Sequence, residues 1–68
     1  MAAAFVRRDD DDGVVTLTLS HPGTLNRFSD GSQFLELASH VRRANADPAA
    51  RVLVITGVGK AFCAGGDL

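Results

Sequence analysis

Val52-Leu53-Val54-Ile55-Thr56-Gly57-Val58-Gly59-Lys60-Ala61-Phe62-Cys63-Ala64-Gly65-Gly66-Asp67-Leu68 is the stretch on which the fold turns. Its opening is a continuous aliphatic run without alternation, which fits a strand covered on both faces of a layered α/β sheet. The glycines that follow leave the carboxyl end of that strand, where α/β proteins gather ligands. Glycine lets bare backbone N–H groups approach a ligand closely, so a binding loop is expected here.

Three uses of such a loop compete. A phosphate-cradling P-loop needs four residues between its first glycine and Gly-Lys-Ser/Thr. Here Gly57 stands only two positions before Gly59-Lys60, and Ala61 occupies the place of the Mg²⁺-binding hydroxyl. A dinucleotide loop needs a third glycine where this chain has Phe62, and it normally follows the first strand. The third use is an oxyanion hole, in which fixed N–H groups stabilise charge developing on a carbonyl oxygen. Gly65-Gly66 can supply such a donor, with Asp67 as a first-turn or capping carboxylate of a following helix. Lys60 is expected to be exposed. Cys63, flanked by Phe62 and Ala64 with no histidine local in sequence, reads as a packing residue rather than a nucleophile.

Outward from the loop, a helix is expected over about 30–46. Ser29 or Asp30 can cap it, and Gln33 completes a capping box with Asp30. Phe34, Leu37, Ala38 and Val41 form its apolar stripe, which leaves Glu36, Ser39, His40 and Arg43 on the wet side. Asn45-Ala46-Asp47-Pro48 stops it. Before the helix, Val14 to Ser20 alternates as a strand, with Val15, Leu17 and Leu19 on one face and Thr16 and Thr18 on the other. His21-Pro22-Gly23 ends that strand, and His21 is expected to be exposed rather than a base. Asp9 to Gly13 reads as a solvated turn rather than a Ca²⁺ loop, after a short strand over Ala3 to Arg8. Strand, helix, strand makes a βαβ crossover.

The 68 residues allow one small domain at most. A chain this short buries only about 60% of its unfolded surface, so an unaided core is marginal. One cysteine excludes an internal disulfide, while 46% hydrophobic and 22% charged residues are too apolar for a disordered tail. That combination predicts a truncated domain: a hairpin arm and turn over 1–13, then a βαβ unit and glycine loop over 14–68. A net charge of −1 gives no electrostatic case for nucleic acid or anionic membrane. The lone thiol and the lack of a signal-peptide pattern predict the cytoplasm.

The terminal stretch from Ile55 to Leu68 closely resembles the first signature of the crotonase (enoyl-CoA hydratase/isomerase) family. Leu17 to Pro22 and Asn26-Arg27-Phe28-Ser29 resemble the strand, proline and asparagine segment that this family places before its first long helix. The resemblance runs from Val14 onward. It implies the N-terminal ββαβ portion of the ClpP/crotonase-like α/β fold and an enzyme acting on acyl-CoA thioesters, foremost an enoyl-CoA hydratase. An isomerase or another crotonase-type enzyme is the alternative, and an inactive fragment is the alternative of another class. By resemblance, Gly66 gives the first oxyanion N–H. The substrate-binding positions are then Thr24, Leu25, Ala64, Gly65, Gly66, Asp67 and Leu68. The second donor and the acid/base glutamates would lie beyond Leu68, and Glu36 does not match them. No metal or cofactor is implied apart from the CoA carried by the substrate, and the family assembles as trimers or pairs of trimers. Arg27 departs from the alanine common after the asparagine.

Overall fold

A computed structural model describes residues 4–21, 26, 28 and 31–63. In chain order these form β1 (Val6–Asp11), β2 (Val14–Leu19), α1 (Gly31–Ala46) and β3 (Val52–Gly57). The sheet runs β1-β2-β3, with β1 antiparallel and β3 parallel to the central β2. This is the expected ββαβ order, with the helix bridging the parallel pair.

The hairpin is tighter than the acidic run suggests. β1 continues through Asp11, and only Asp12 (φ 51°) and Gly13 (φ 84°) form the turn. Two central residues at positive φ are what a type I′ hairpin loop requires. The expectation of a turn from Asp9, after a strand ending at Arg8, is therefore corrected. The physical reason is pairing along each strand face. Arg7 Nε meets Asp9 at 3.2 Å and Arg8 Nε meets Asp10 at 2.8 Å, so the acids sit opposite cations two residues away. β1 lies at the edge of the described sheet, where such charges discourage further strand pairing. Arg8 also reaches Asp47 at 2.8 Å, just past the helix end. Its hydrogen bond to Asp10, then that to Asp47, hold the guanidinium above its ordinary pKa, and the Arg8 bond holds Asp10 below the usual carboxylate range.

The apolar face of β2 is buried as expected, with Val15, Leu17 and Leu19 1%, 0% and 1% exposed, while Thr18 on the other face is buried as well, at 6%. With Phe5, Val6 and Ala44 they make the core, flanked by Phe28, Leu37, Val41, Ala50 and Cys63. The inward line of α1 is thus Leu37, Val41 and Ala44, at i, i+4 and i+7. Phe34 continues that stripe one turn earlier but does not reach the core: it is 54% exposed, against expectation, with its ring stacked on Phe28 at 4.3 Å. Glu36 is a second correction. It is half-buried and accepts the Val6 N–H at 2.7 Å and the Phe5 N–H at 3.2 Å, which fastens the helix to the start of β1. The Phe5 N–H precedes β1 and the Val6 N–H opens it, and both need an acceptor, which explains why a carboxylate turns inward. His40 is also half-buried rather than wet, with Nδ1 buried and unbonded among the described residues.

After α1, Asp47 closes the connection. Its N–H donates to Ala44 O, its carbonyl accepts from Ala50 N, and its Oδ1 accepts from Ala49 N. Gly13 O then accepts from Arg51 N at 2.7 Å and Val52 N at 3.1 Å, joining the hairpin turn to the start of β3. β3 departs from expectation in its cover. Val52 is 53% exposed, and Leu53, Val54 and Ile55 are each 39% exposed. The strand's pattern is that of a buried one, but the helix leans on β1 and leaves β3 at the uncovered side of the described sheet.

Candidate active site

The carboxyl ends of β2 and β3 lie side by side, with Leu19 paired to Gly57. One more bond, Val58 N to Leu19 O at 3.0 Å, extends that pairing into the glycine loop. Beyond that bond the loop meets the Asn26 side chain.

Asn26 is completely buried, the only buried amide side chain of the described residues. Its Nδ2 donates to Val58 O and to Ala61 O, each at 2.9 Å, and its Oδ1 accepts the His21 N–H at 2.8 Å. Its own N–H donates to His21 O at 2.9 Å. One side chain thus ties the connection after β2 to two carbonyls of the loop after β3. Both amide hydrogens are used, which is what makes such deep burial tolerable. Its φ of 58° lies in the left-handed region, where asparagine is among the few residues at ease.

Gly57 makes room for this arrangement. A Cβ built there would stand 2.6 Å from Asn26 Nδ2, 2.9 Å from Ala61 O, and in hard contact with Phe62 O. No side chain fits. Gly59 turns the loop at φ 81°, and Cys63 at its far end packs against the core. Lys60 and Phe62 face solvent.

Of the site residues expected from sequence, Thr24, Leu25, Ala64, Gly65, Gly66, Asp67 and Leu68 lie outside the described residues. Their chain neighbours are described, and they meet: Asn26 follows Leu25, and it holds the segment that runs through Cys63 into Ala64. The His21 side chain is exposed, Lys60 is exposed, and Cys63 is half-buried against the core, all as expected. Glu36 is engaged with backbone amides and stands in the helix–hairpin joint rather than at the loop. Asn26 itself was visible in the sequence only as part of a resemblance. The signal for its role was an asparagine shortly after a His-Pro-Gly strand terminator, a position suited to positive φ.

A parallel βαβ unit with a glycine loop locked at the strand ends defines an α/β ligand-binding class of domain. The family model described as enoyl-CoA hydratase/isomerase matches residues 9–68. The chain is 41% identical over 64 residues to a 1,2-epoxyphenylacetyl-CoA isomerase of Escherichia coli, an alignment covering 94% of this chain and 24% of that protein. It is 40% identical over 58 residues to a probable enoyl-CoA hydratase of Mycobacterium tuberculosis, covering 85% and 22% respectively. The crystal structure of a probable enoyl-CoA hydratase/isomerase from Mycobacterium abscessus superposes with a TM-score of 0.88 at 35% identity, covering all of this chain and 27% of that one. The chain belongs to the enoyl-CoA hydratase/isomerase family. It spans about a quarter of the length of the relatives it matches.

Proposed function

We propose that the protein carrying this chain processes acyl-CoA thioesters, and that its reaction is hydration of a 2-enoyl-CoA. Water gives one proton to a base as its oxygen bonds to C3, the C2–C3 π pair shifts so that the thioester oxygen takes the charge as an enolate, and a proton is delivered to C2 as the carbonyl re-forms. The α-carbanion character of that step is affordable only if the enolate oxygen meets fixed donors. The Gly66 N–H is the donor this chain contributes, and Thr24, Leu25, Ala64, Gly65, Asp67 and Leu68 line the thioester and its CoA. The joined loops at the ends of β2 and β3 carry the reading, because an oxyanion donor works only when its backbone is held before the charge appears. CoA enters as part of the substrate, and the proposal calls for no metal or other cofactor. A second donor, a pair of acid/base glutamates, a trimeric or hexameric assembly and a cytoplasmic setting complete it.

Isomerisation of the acyl-CoA is the second reading, favoured by the isomerase from Escherichia coli among the relatives. Both readings use the same donor and differ in the acid/base groups. Incubating the protein with crotonyl-CoA and following the enoyl absorbance tests them. Loss of absorbance with formation of 3-hydroxybutyryl-CoA is expected. No turnover of crotonyl-CoA, together with no shift of the double bond in a 3-enoyl-CoA, overturns both. These 68 residues alone are expected to give no turnover, because the barrier falls only when donors and a positioned acid/base act together.

A further inference from the structure

We infer that Asn26 is the positioning residue of the glycine loop: its amide sets where the segment after β3 stands, and so where the oxyanion donor points. The inference rests on the acyl-CoA reading for its catalytic consequence, but on geometry alone for the anchoring. Its two Nδ2 bonds, to Val58 O and Ala61 O, span the loop at two points three residues apart, which fixes orientation as well as distance. The third bond, from His21 N to Oδ1, fixes the amide itself against the end of β2. A side chain that merely filled space would need none of these. Gly57 supplies an independent observation, since the backbone opposite the amide is bare at a position where a Cβ would collide with Nδ2. Leu19 O takes the Val58 N–H, so the first loop residue is held from both sides. Beyond it, Asn26 provides the side-chain tie at Ala61.

Chemistry makes this residue type particular. Two donors and one acceptor are needed on a short planar group, at a left-handed backbone position. Aspartate has the shape and keeps the acceptor for His21 N–H, but it sets a carboxylate oxygen against two carbonyl oxygens. Glutamine has the donors on a stem one methylene too long for the space beside Gly57.

Asn26→Asp in the whole protein is the test, with Asn26→Gly as the second variant should the aspartate form fail to fold. Glycine keeps the left-handed φ without strain and removes the tie. Val15→Ala, in the core away from the loop, serves as a control of matched loss in Tm. Two readouts are taken: kcat and KM with crotonyl-CoA, and the alkylation rate of Cys63 followed on its own peptide by mass spectrometry. Cys63 ends the loop and is half-buried against the core, so release of the loop exposes it. The Asn26 variants are expected to lower kcat about 100-fold, as a displacement of about an ångström does, with KM within about threefold. Cys63 alkylation is expected to rise about tenfold, the equivalent of losing at least one hydrogen bond from the closed state. Val15→Ala should show neither change at the same Tm. Alkylation that is unchanged, or that rises equally in Val15→Ala, overturns the inference, as does faster alkylation with an unaltered kcat. If the unaltered protein turns over no CoA thioester while Asn26→Asp still accelerates alkylation, the acyl-CoA reading falls and the anchoring stands.

Discussion

Gly57→Ala is the sharpest perturbation of the site that leaves every hydrogen-bonding group in place. The added methyl carbon would lie 2.6 Å from Asn26 Nδ2 and closer still to Phe62 O, whereas ordinary contact begins at 3.4 Å, so the loop backbone must lift and the amide must part from the new carbon by at least 0.8 Å. Taken along the bonds, that displacement lengthens the 2.9 Å contacts to Val58 O and Ala61 O to 3.7 Å, beyond hydrogen bonding. Two bonds at about 1 kcal/mol each are lost, and an amide that stays buried without partners costs about 1–3 kcal/mol more. Against this, alanine restricts the unfolded chain and returns about 0.4–1 kcal/mol. The net expectation is a destabilisation of about 2–5 kcal/mol, a large part of the 5–15 kcal/mol that holds a typical domain. Urea denaturation of the whole protein reads it as a lower midpoint at constant slope. A change below about 0.5 kcal/mol would show that the loop is not clamped where the distances place it, and would refute the reasoning.

Leu17→Ala removes a side chain with no exposure and should cost about 2–5 kcal/mol in the same denaturation assay. Glu36→Ala leaves the Phe5 and Val6 amides without their acceptor and should cost about 1–3 kcal/mol, with Glu36→Gln recovering part of it through its remaining carbonyl oxygen. Asp10 carries a pH dependence of definite sign. Its folded pKa is lowered by Arg8, so its contribution is present above the ordinary carboxylate pKa and is lost as pH falls through the lowered value. Asp10→Asn should therefore flatten the acid limb of a stability profile, and an unaltered limb would contradict the pairing.

Much of this fold could be read before any coordinates. Val15, Leu17 and Leu19 announced their buried face because a period of two is unambiguous in a strand. Asp47-Pro48 fixed the end of α1, and the aliphatic run Val52 to Ile55 fixed β3. The failures share a cause: partners outside the local stretch overrode local preference. Asp9 to Asp11 look like a turn by propensity, but Val14 to Thr16 pair with them across the hairpin, while Arg7 and Arg8 meet Asp9 and Asp10 on the extended chain. Glu36 looks wet on a helical wheel, yet two amides of β1, some 30 residues away, claim it. Phe34 fits the stripe by spacing, but the line that meets the sheet begins at Leu37. The glycine loop was identified by its composition and its place after a strand. What holds it was not, because the tie from Asn26 to Val58 and Ala61 crosses more than 30 residues and leaves no local pattern.

Replacing the Gly66 amide by an ester, through semisynthesis of the whole protein, tests the central claim most directly. The change puts an oxygen in place of one N–H and keeps every side chain of the site. The account predicts that kcat for crotonyl-CoA falls about 100- to 1,000-fold with little change in KM, as loss of one oxyanion donor requires. A fully active ester-containing protein would contradict it.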